Sequence, residues 1–541
     1  MRPAVDGACA AGLALLTVAS RWAYRARMLY NWDAVQFALA LREYDVAKHQ
    51  PHPPGYILYV GLGRLVHAWV GDPAAAYVVL AVLFSGLTTV AVYVLALAAY
   101  GRATALAAAT LLAVSPLFWF YGAVGLTYAG EALGAAVVAA FAYRALRGSE
   151  VDAWLAAGYL GLAAGLRQPL LVLMGPLWLG ATWVGLRRFR TVGIGLLILT
   201  GATLTWAVPM VWLTGGLGRY LEASWTLAES VVRPTTVVGG PIAVTGRMFR
   251  HLLESTLVGL GPLALAVALL PWYVRRHGWT SREGFFVGWV ATPSLVYTFV
   301  HFGQAGYVLT FLPALVILLT HVLLSALRAG VATARPPWAV AVVTGTVGLL
   351  VVANGAFFVS ARPQPRDFDT PRPGWRQVAE ADVADWVLSR TAAALREHEA
   401  VVRTYVETIR GLYPAEETAV ITEVGNPRSY PWLRHAMYYL GEYPIYELSV
   451  GPLPPGVYAP RLAFRMSRLP AADIRLPRGI RRLVWFVDYW NPAAPRPPGL
   501  VEIELPYGRY LYVLPLGRRP VNYAGYTFLR EEPPRRSRRG G

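Results

Sequence analysis

Cysteine is all but missing. Cys9 alone among 541 residues excludes an intramolecular disulfide and any cysteine-built metal site, so every part of the chain folds without covalent staples. Lysine is as scarce: Lys48 is the only one, and the basic charge is therefore arginine, which reads as a coding bias rather than a functional lysine. Charge of either sign is thin, at 15% of residues against 56% hydrophobic, which excludes an ordinary soluble protein. Acidic residues are the poorer class, 31 against 49 basic, leaving a formal net charge of +18. In a soluble chain that excess would suggest nucleic acid. Here much of it lies in short loops between apolar runs, where positive charge orients helices across a bilayer, and nucleic acid is discounted as a partner.

What is present is a series of apolar runs near 20 residues long, recurring from the N-terminus to about Ser360, each able to cross a hydrocarbon core of roughly 30 Å as a helix. The run Ala8 to Ser20 continues through Tyr24 without a convincing cleavage context and is read as a retained first span. Residues 34–44 suggest an interfacial helix. Tyr56 to Trp69 is short and holds Gly61, Gly63, Arg64 and His67, as expected of a helix lying on or dipping into the interface. Asp72-Pro73 then marks a new helix start. Further spans are expected at about 74–98, 103–120, 127–146, 153–166, 169–186, 191–213, 252–272, 284–301, 307–327 and 338–360, making about eleven. With that count Arg102, Arg144 and Arg147, Arg187/Arg188/Arg190, Arg275/Arg276/Arg282, and Arg328 with Arg335 all fall on one side, which the positive-inside rule makes cytoplasmic. Arg21, Arg25 and Arg27 break the rule at the outer end of the first span. They read either as interfacial arginines snorkelling beside Trp22 and Tyr24, or as an anion-holding group.

The expected organisation is a transmembrane domain at 1–360, with a first outer loop at 31–72. A Pro-rich linker at 361–378 (Pro363, Pro365, Pro371, Pro373) leads to an extracytoplasmic α/β domain at 379–530 and a basic, disordered tail at 531–541. In the α/β domain a helix is expected around Ala379 to Leu412 and a second at Leu433 to Leu440. Strands are expected at Ala419 to Val424, Ile445 to Val450, Leu483 to Val487, Leu500 to Leu505 and Tyr510 to Leu514. The loop Gly215 to Arg250 has helical texture in its first half and is long enough to cover a site.

Unusual polar residues gather near outer span ends: Asp33, His49, His52, Glu131, Arg167, Gln168, His251, His301 and Gln304. Ionisable groups at membrane depth are expensive and tend to be functional, so their convergence predicts one extracytoplasmic site. Each also has a plain structural reading. Asp33-Ala34-Val35-Gln36 fits a capping box. Glu131 suits the first turn of a helix, Arg167 a tight turn before Pro169, and the histidines satisfied interfacial positions, with no pair at helical metal spacing.

Asn31-Trp32-Asp33 with the helix behind it, followed by His52-Pro53-Pro54-Gly55-Tyr56, resembles the first outer loop of GT-C membrane glycosyltransferases, specifically the bacterial group similar to protein O-mannosyltransferases and aminoarabinose transferases. Three later stretches carry the same likeness. Ser115-Pro116-Leu117-Phe118 leading to Glu131 resembles the second acidic loop, and Gly165-Leu166-Arg167-Gln168-Pro169 the basic turn. Gly306-Tyr307-Val308-Leu309 through Leu312-Pro313-Ala314 resembles a helix start of that group. The resemblance covers roughly residues 1–360. His52 stands where lysine is common and Glu131 where aspartate is common, which leaves the donor sugar open.

The resemblance implies an α-helical polytopic protein of the cell (inner) membrane with a GT-C-type transmembrane domain. The implied reaction is inverting transfer of a sugar from a polyprenyl-phosphate donor to an acceptor hydroxyl of a protein, lipid or glycan. Asp33 would be the general base, with Glu131 as a second catalytic carboxylate. His52, Arg167, His301 and Tyr307 would meet the donor phosphate, with Arg25, Gln168 and Gln304 accessory. Membrane lipids would supply the surroundings. No Asp-X-Asp loop stands at the first outer site, so no metal and no cofactor is expected. The alternatives are a flippase for lipid-linked saccharides or a non-catalytic envelope-assembly protein. No internal repeat of the kind found in transporters is visible.

Overall fold

Asp72 and Pro73 start the helix around which the membrane part packs. The Asp72 carboxylate accepts the Ala75 amide at 2.7 Å, and Pro73, which has no amide proton, takes the first turn, so a 28-residue helix runs over Pro73–Tyr100 (α4). In the computed structural model the described residues are 3–331, 336–362, 388–426, 428–430, 432–451, 473–517 and 519–530. Before α4 come Pro3–Tyr24 (α1), Trp32–Arg42 (α2) and Ile57–Val70 (α3). After it come Arg102–Ala113 (α5), Pro116–Ala123 (α6), Tyr128–Leu146 (α7), Glu150–Ala163 (α8), Leu170–Leu186 (α9), Phe189–Leu213 (α10) and Leu217–Leu227 (α11). The membrane part ends with Ile242–Leu260 (α12), Leu270–His277 (α13), Ser281–Phe299 (α14), Leu312–Gly330 (α15) and Pro336–Ser360 (α16). Packing of α4 on α1, α3, α5 and α7 builds the core.

Among the described residues seven helices are long and apolar enough to cross a membrane, or eight if the pair α5 and α6, bent by 59° at Val114-Ser115-Pro116, is one span. Three expected spans correspond to α8, α9 and α14, which do not reach that length and composition. Helix α8 has 14 residues and α9 has 17, while α14 opens on Arg282 and Glu283. The span expected at 252–272 begins ten residues earlier: α12, a 3₁₀ stretch Gly261–Leu269 and α13 run on as one 36-residue unit. The arginine clusters stand at one end of the bundle. Arg144 and Arg328 close α7 and α15, Arg187 and Arg188 lie between α9 and α10, Arg275 and Arg276 end α13, and the guanidinium of Arg282 donates to the Ala99 carbonyl at the end of α4.

Two local expectations change. Helix α2 does not lie bare at an interface: Ala34 to Ala38 are all buried, and Phe37 meets the rings of Tyr56, Tyr59 and Tyr77. Arg21 does not snorkel. It is 1% exposed and turned inward, with its guanidinium 5.1 Å from the Phe118 ring and 5.4 Å from that of Trp119. Arg25 behaves as an interfacial arginine, stacked on Trp22 at 4.1 Å.

The C-terminal unit is α/β. After Ala392–Leu412 (α17), strands Thr418–Val424 (β1), Ile445–Ser449 (β2), Asp473–Leu476 (β3), Arg482–Trp485 (β4), Val501–Leu505 (β5), Arg509–Pro515 (β6), Val521–Tyr523 (β7) and Tyr526–Arg530 (β8) form two sheets, with Leu433–Tyr439 (α18) between β1 and β2. The larger sheet has the order β2-β1-β4-β6-β5, parallel across β2, β1 and β4 and antiparallel at β6 and β5. The smaller has the order β3-β8-β7. The five expected strands are those of the larger sheet, and the smaller sheet was not foreseen. The Pro-rich linker prolines, Arg335, the expected helix start at Ala379 and the basic tail lie outside the described residues.

Helices α7 and α9 meet closely where a side chain on Gly185 would lie 2.2 Å from the Ala145 carbonyl oxygen and 2.7 Å from Leu146 Cα. Both are backbone atoms and cannot swing aside. Gly185→Ala is therefore expected to lower stability by about 1–3 kcal/mol. Gly180→Ala, where nothing lies within 4 Å, is expected to be neutral or mildly stabilising. Melting of the purified protein in detergent checks the pair, and equal melting temperatures would contradict the packing.

Candidate active site

Helix α2 starts with Asn31, not Asp33, as its cap. The Asn31 side chain accepts the Ala34 amide at 3.1 Å, and the Trp32 amide is taken by the Tyr430 hydroxyl at 3.0 Å. The capping box expected from Asp33 and Gln36 therefore does not form, because the orphan amides already have acceptors. Both side chains are left to the site. Asp33 Oδ2 accepts from Gln304 Nε2 at 3.0 Å, Gln304 Oε1 is reached by Asn31 Nδ2 at 3.4 Å, and Asp33 Oδ1 lies 3.7 Å from His52 Nδ1.

His52 is fixed on both sides. Its Nδ1 meets Gln36 Oε1 at 2.6 Å and its Nε2 meets the Tyr56 hydroxyl at 3.1 Å. Burial holds the imidazole below its ordinary range although Asp33 pulls the other way, so His52 is a neutral ring that donates to Gln36 and accepts from Tyr56. The turn that carries it is tied down in turn. Tyr44 donates to the Gly55 carbonyl at 2.7 Å, Tyr220 of α11 to that of Pro54 at 3.1 Å, and Arg219 pairs with Asp45 at 2.6 Å. The helix expected in the long loop thus lies over the His-Pro segment. Gln168 also points there, its Nε2 at 3.4 Å from the Pro54 carbonyl.

Below this cluster sits a buried ion pair. Glu131, in the first turn of α7, meets Arg167 from the turn before α9, with Oε2 and Nε 2.5 Å apart, and the side chains are 0% and 6% exposed. They meet as charges, without the alignment of a hydrogen bond. The remaining groups are satisfied by neighbours: Thr310 donates to Glu131 Oε1 at 2.8 Å, Arg167 Nη1 donates to Thr127 at 2.9 Å, and the guanidinium lies 4.5 Å from the Tyr128 ring and 5.0 Å from that of Tyr307. Glu131 stands in the first turn of its helix and Arg167 in the turn before Pro169, as their positions suggested, but both side chains are buried. Tyr56 and Tyr307 join the two layers, for the fields of Asp33, Glu131 and Arg167 all act on both hydroxyls.

His301 stands at the margin. Its Nδ1 meets the Thr235 hydroxyl at 2.8 Å, and burial, helped by the Arg167 charge, brings it down to about 4, which keeps it neutral. A methyl placed on Gly303 would lie 2.6 Å from His301 Nε2 and 3.2 Å from the Tyr307 hydroxyl, so these two groups face a small space that only glycine leaves open. Arg25 stands apart, just after α1, with its guanidinium on the Trp22 ring and donating to the Trp22 carbonyl. His251 pairs with Glu254 at 3.2 Å on α12. Among the described residues no three His, Cys, Asp or Glu side chains gather to hold a metal ion.

Sequence reasoning missed Gln36, Tyr56, Tyr128, Tyr297 and Thr310 as site residues, and Tyr430 and Arg434 from the C-terminal unit. Arg434 is fully buried, lies 5.4 Å from the Trp32 ring, and its charge acts on both His49 and His52. Only Tyr56 carried a signal, as the residue that follows His-Pro-Pro-Gly.

No protein-family model matches the chain, and no curated protein matches it. Solved structures do. ArnT from Cupriavidus metallidurans in the apo state is similar with a TM-score of 0.55 at 14% identity, over 94% of this chain and 97% of that one. The same protein bound to undecaprenyl phosphate gives 0.54 at 13% identity with the same coverage. At such identity the likeness is one of fold, and its extent takes in both the membrane part and the C-terminal unit. The chain shares the overall fold of ArnT, in line with the fold that its motifs led one to expect.

Removing one member of the Glu131 and Arg167 pair strands a buried charge, so Glu131→Gln and Arg167→Met are each expected to cost about 3–5 kcal/mol. The double variant, which buries no charge, is expected to be more stable than either single one. Melting of the four proteins in detergent tests this, and additive losses would contradict the pairing.

Proposed function

We propose that this chain is an integral-membrane glycosyltransferase that moves a sugar from a polyprenyl-phosphate donor to an acceptor hydroxyl at the outer face of the cell membrane, with inversion and with Asp33 as general base. The observation that carries the reading is the division of labour between two carboxylates. Glu131 is sealed and neutralised by Arg167, whereas Asp33 keeps 24% of its side chain exposed and is held from behind by Gln304. Only Asp33 can reach an incoming hydroxyl. In this reaction the acceptor oxygen attacks the anomeric carbon from the side opposite the phosphate, and its proton passes to Asp33. The bond from the anomeric carbon to the phosphate oxygen breaks, and the lipid phosphate leaves with the electron pair.

The leaving phosphate needs donors on the opposite side of the sugar. Tyr307 and His301 supply them at the space over Gly303, with the Arg167 charge behind the Tyr307 ring. His52, whose single ring proton goes to Gln36 and whose other nitrogen takes the Tyr56 hydroxyl, orients those two groups beside Asp33, and Gln168 steadies the turn that carries it. Glu131 acts through Arg167, whose orientation it sets. The lipid nature of the donor is supported by the end-to-end fold similarity to ArnT, which has been seen bound to undecaprenyl phosphate. The outer location is supported by the arginine clusters at the far end of the bundle, and counting α8, α9 and α14 as short spans brings the total to eleven. The acceptor is a protein, lipid or glycan hydroxyl, and the C-terminal unit, on the same side as Asp33, faces it.

In vesicles supplied with a polyprenyl-phosphate sugar, Asp33→Asn is expected to lower the transfer rate about 10²–10⁴-fold while donor binding is kept. Full activity would remove Asp33 from the role of base. Gly303→Ala is expected to weaken donor binding about tenfold, equivalent to about 1.4 kcal/mol. Unchanged binding of the lipid phosphate would place the leaving group elsewhere.

A further inference from the structure

The segment between α1 and α2 makes few hydrogen bonds within the membrane part. Its backbone is held by side chains about 370 to 410 residues away in sequence. The Leu29 amide donates to the Tyr439 hydroxyl at 2.9 Å, and the Leu29 carbonyl accepts from His435 Nε2 at 3.1 Å. The Trp32 amide donates to the Tyr430 hydroxyl at 3.0 Å, the Arg27 amide to the Glu399 carboxylate, and the Arg25 carbonyl accepts from Arg396 at 2.9 Å. Leu29 is 2% exposed, and water cannot replace partners lost there. Trp32 carries the first amide of α2, one of the four that a helix cannot satisfy itself. Asp33 is the next residue.

The larger sheet gives this contact its origin. Strands β2, β1 and β4 run parallel with β1 in the middle, so the chain passes to opposite sides of β1, and the loops after β1 and β4 open at that switch. They are fastened to each other. The Tyr430 amide donates to Asp488 at 2.7 Å and the Asp488 amide to Ser429 at 3.0 Å. This edge of the sheet, where many α/β folds bind a ligand, here holds the start of the helix that bears Asp33.

We propose that the C-terminal unit is a positioning element of the active site: Tyr430, His435 and Tyr439 hold the backbone at Leu29 and Trp32 and so set the place of Asp33. The proposal rests on the reading of Asp33 as the base. Because the Leu29 carbonyl can only accept, His435 Nε2 carries the proton, and a glutamine amide can stand in for it. Displacing a catalytic group by about 1 Å is enough for a loss near 10²-fold.

The test uses the full chain in vesicles with a polyprenyl-phosphate sugar, alongside amide exchange of the peptide spanning residues 25–36. Tyr430→Phe with Tyr439→Phe removes two hydroxyls and no packing. It is expected to speed exchange at Leu29 and Trp32 about tenfold, and to lower kcat about 10–100-fold with donor KM within about twofold. His435→Ala is expected to do the same, and His435→Gln to restore both readouts. Unaltered exchange in the tyrosine variant overturns the proposal whatever Asp33 does. Faster exchange with unaltered kcat also overturns it when Asp33→Asn is inactive. If Asp33→Asn is active, the reading of Asp33 has failed, and the positioning claim falls with it.

Discussion

A helix cannot satisfy its own first amides, and at α2 that constraint shapes the site. Asn31 takes one of them and Tyr430 another. With those two acceptors in place, the Asp33 carboxylate has no structural duty at the helix start. It is held by Gln304 and faces His52 instead. A carboxylate that caps a helix spends its lone pairs on backbone. One that does not can accept a proton from a substrate. The chemistry assigned to Asp33 thus depends on the capping done by its neighbours.

The second layer is electrostatic. A glutamate and an arginine at membrane depth are tolerable together and expensive apart. Glu131 and Arg167 neutralise each other inside a shell of Tyr128, Tyr307, Thr127 and Thr310, and that shell presents the Tyr307 hydroxyl and the space over Gly303 on its upper side. The pair therefore fixes a floor for the site without taking part as an exposed ion. Asp33 above it remains the accessible carboxylate.

Much of this was legible in the sequence wherever a feature is local. Asp72-Pro73 marks a helix start by itself, the parity of the arginine clusters agrees with their gathering at one bundle end, and β1, β2, β4, β5 and β6 have apolar, β-branched runs that stand out. The likeness in the 31–55, 131, 165–169 and 306–314 stretches led to the right fold. What was not legible depends on contacts between distant residues. Arg21 looks like a snorkelling arginine because sequence does not tell which side of α1 faces Phe118 and Trp119. The spacing of Asp33 and Gln36 also fitted a capping box, because Asn31, two residues earlier, is as good a cap and spacing does not choose between them. The small sheet escaped notice because β3 is only four residues long, with two charged positions, and β7 has three residues. Tyr430, His435 and Tyr439 gave no signal, since nothing near them in the chain points to Leu29.

The account stands or falls on a single displacement at the anomeric carbon, assisted by one base and opposed by one leaving phosphate. The most direct measurement is the anomeric configuration of the sugar in the first-formed product, determined by NMR of material made by the purified protein from a donor of known configuration. The account predicts the inverted anomer. A retained anomer would require a covalent intermediate on the protein, and would contradict the role given to Asp33.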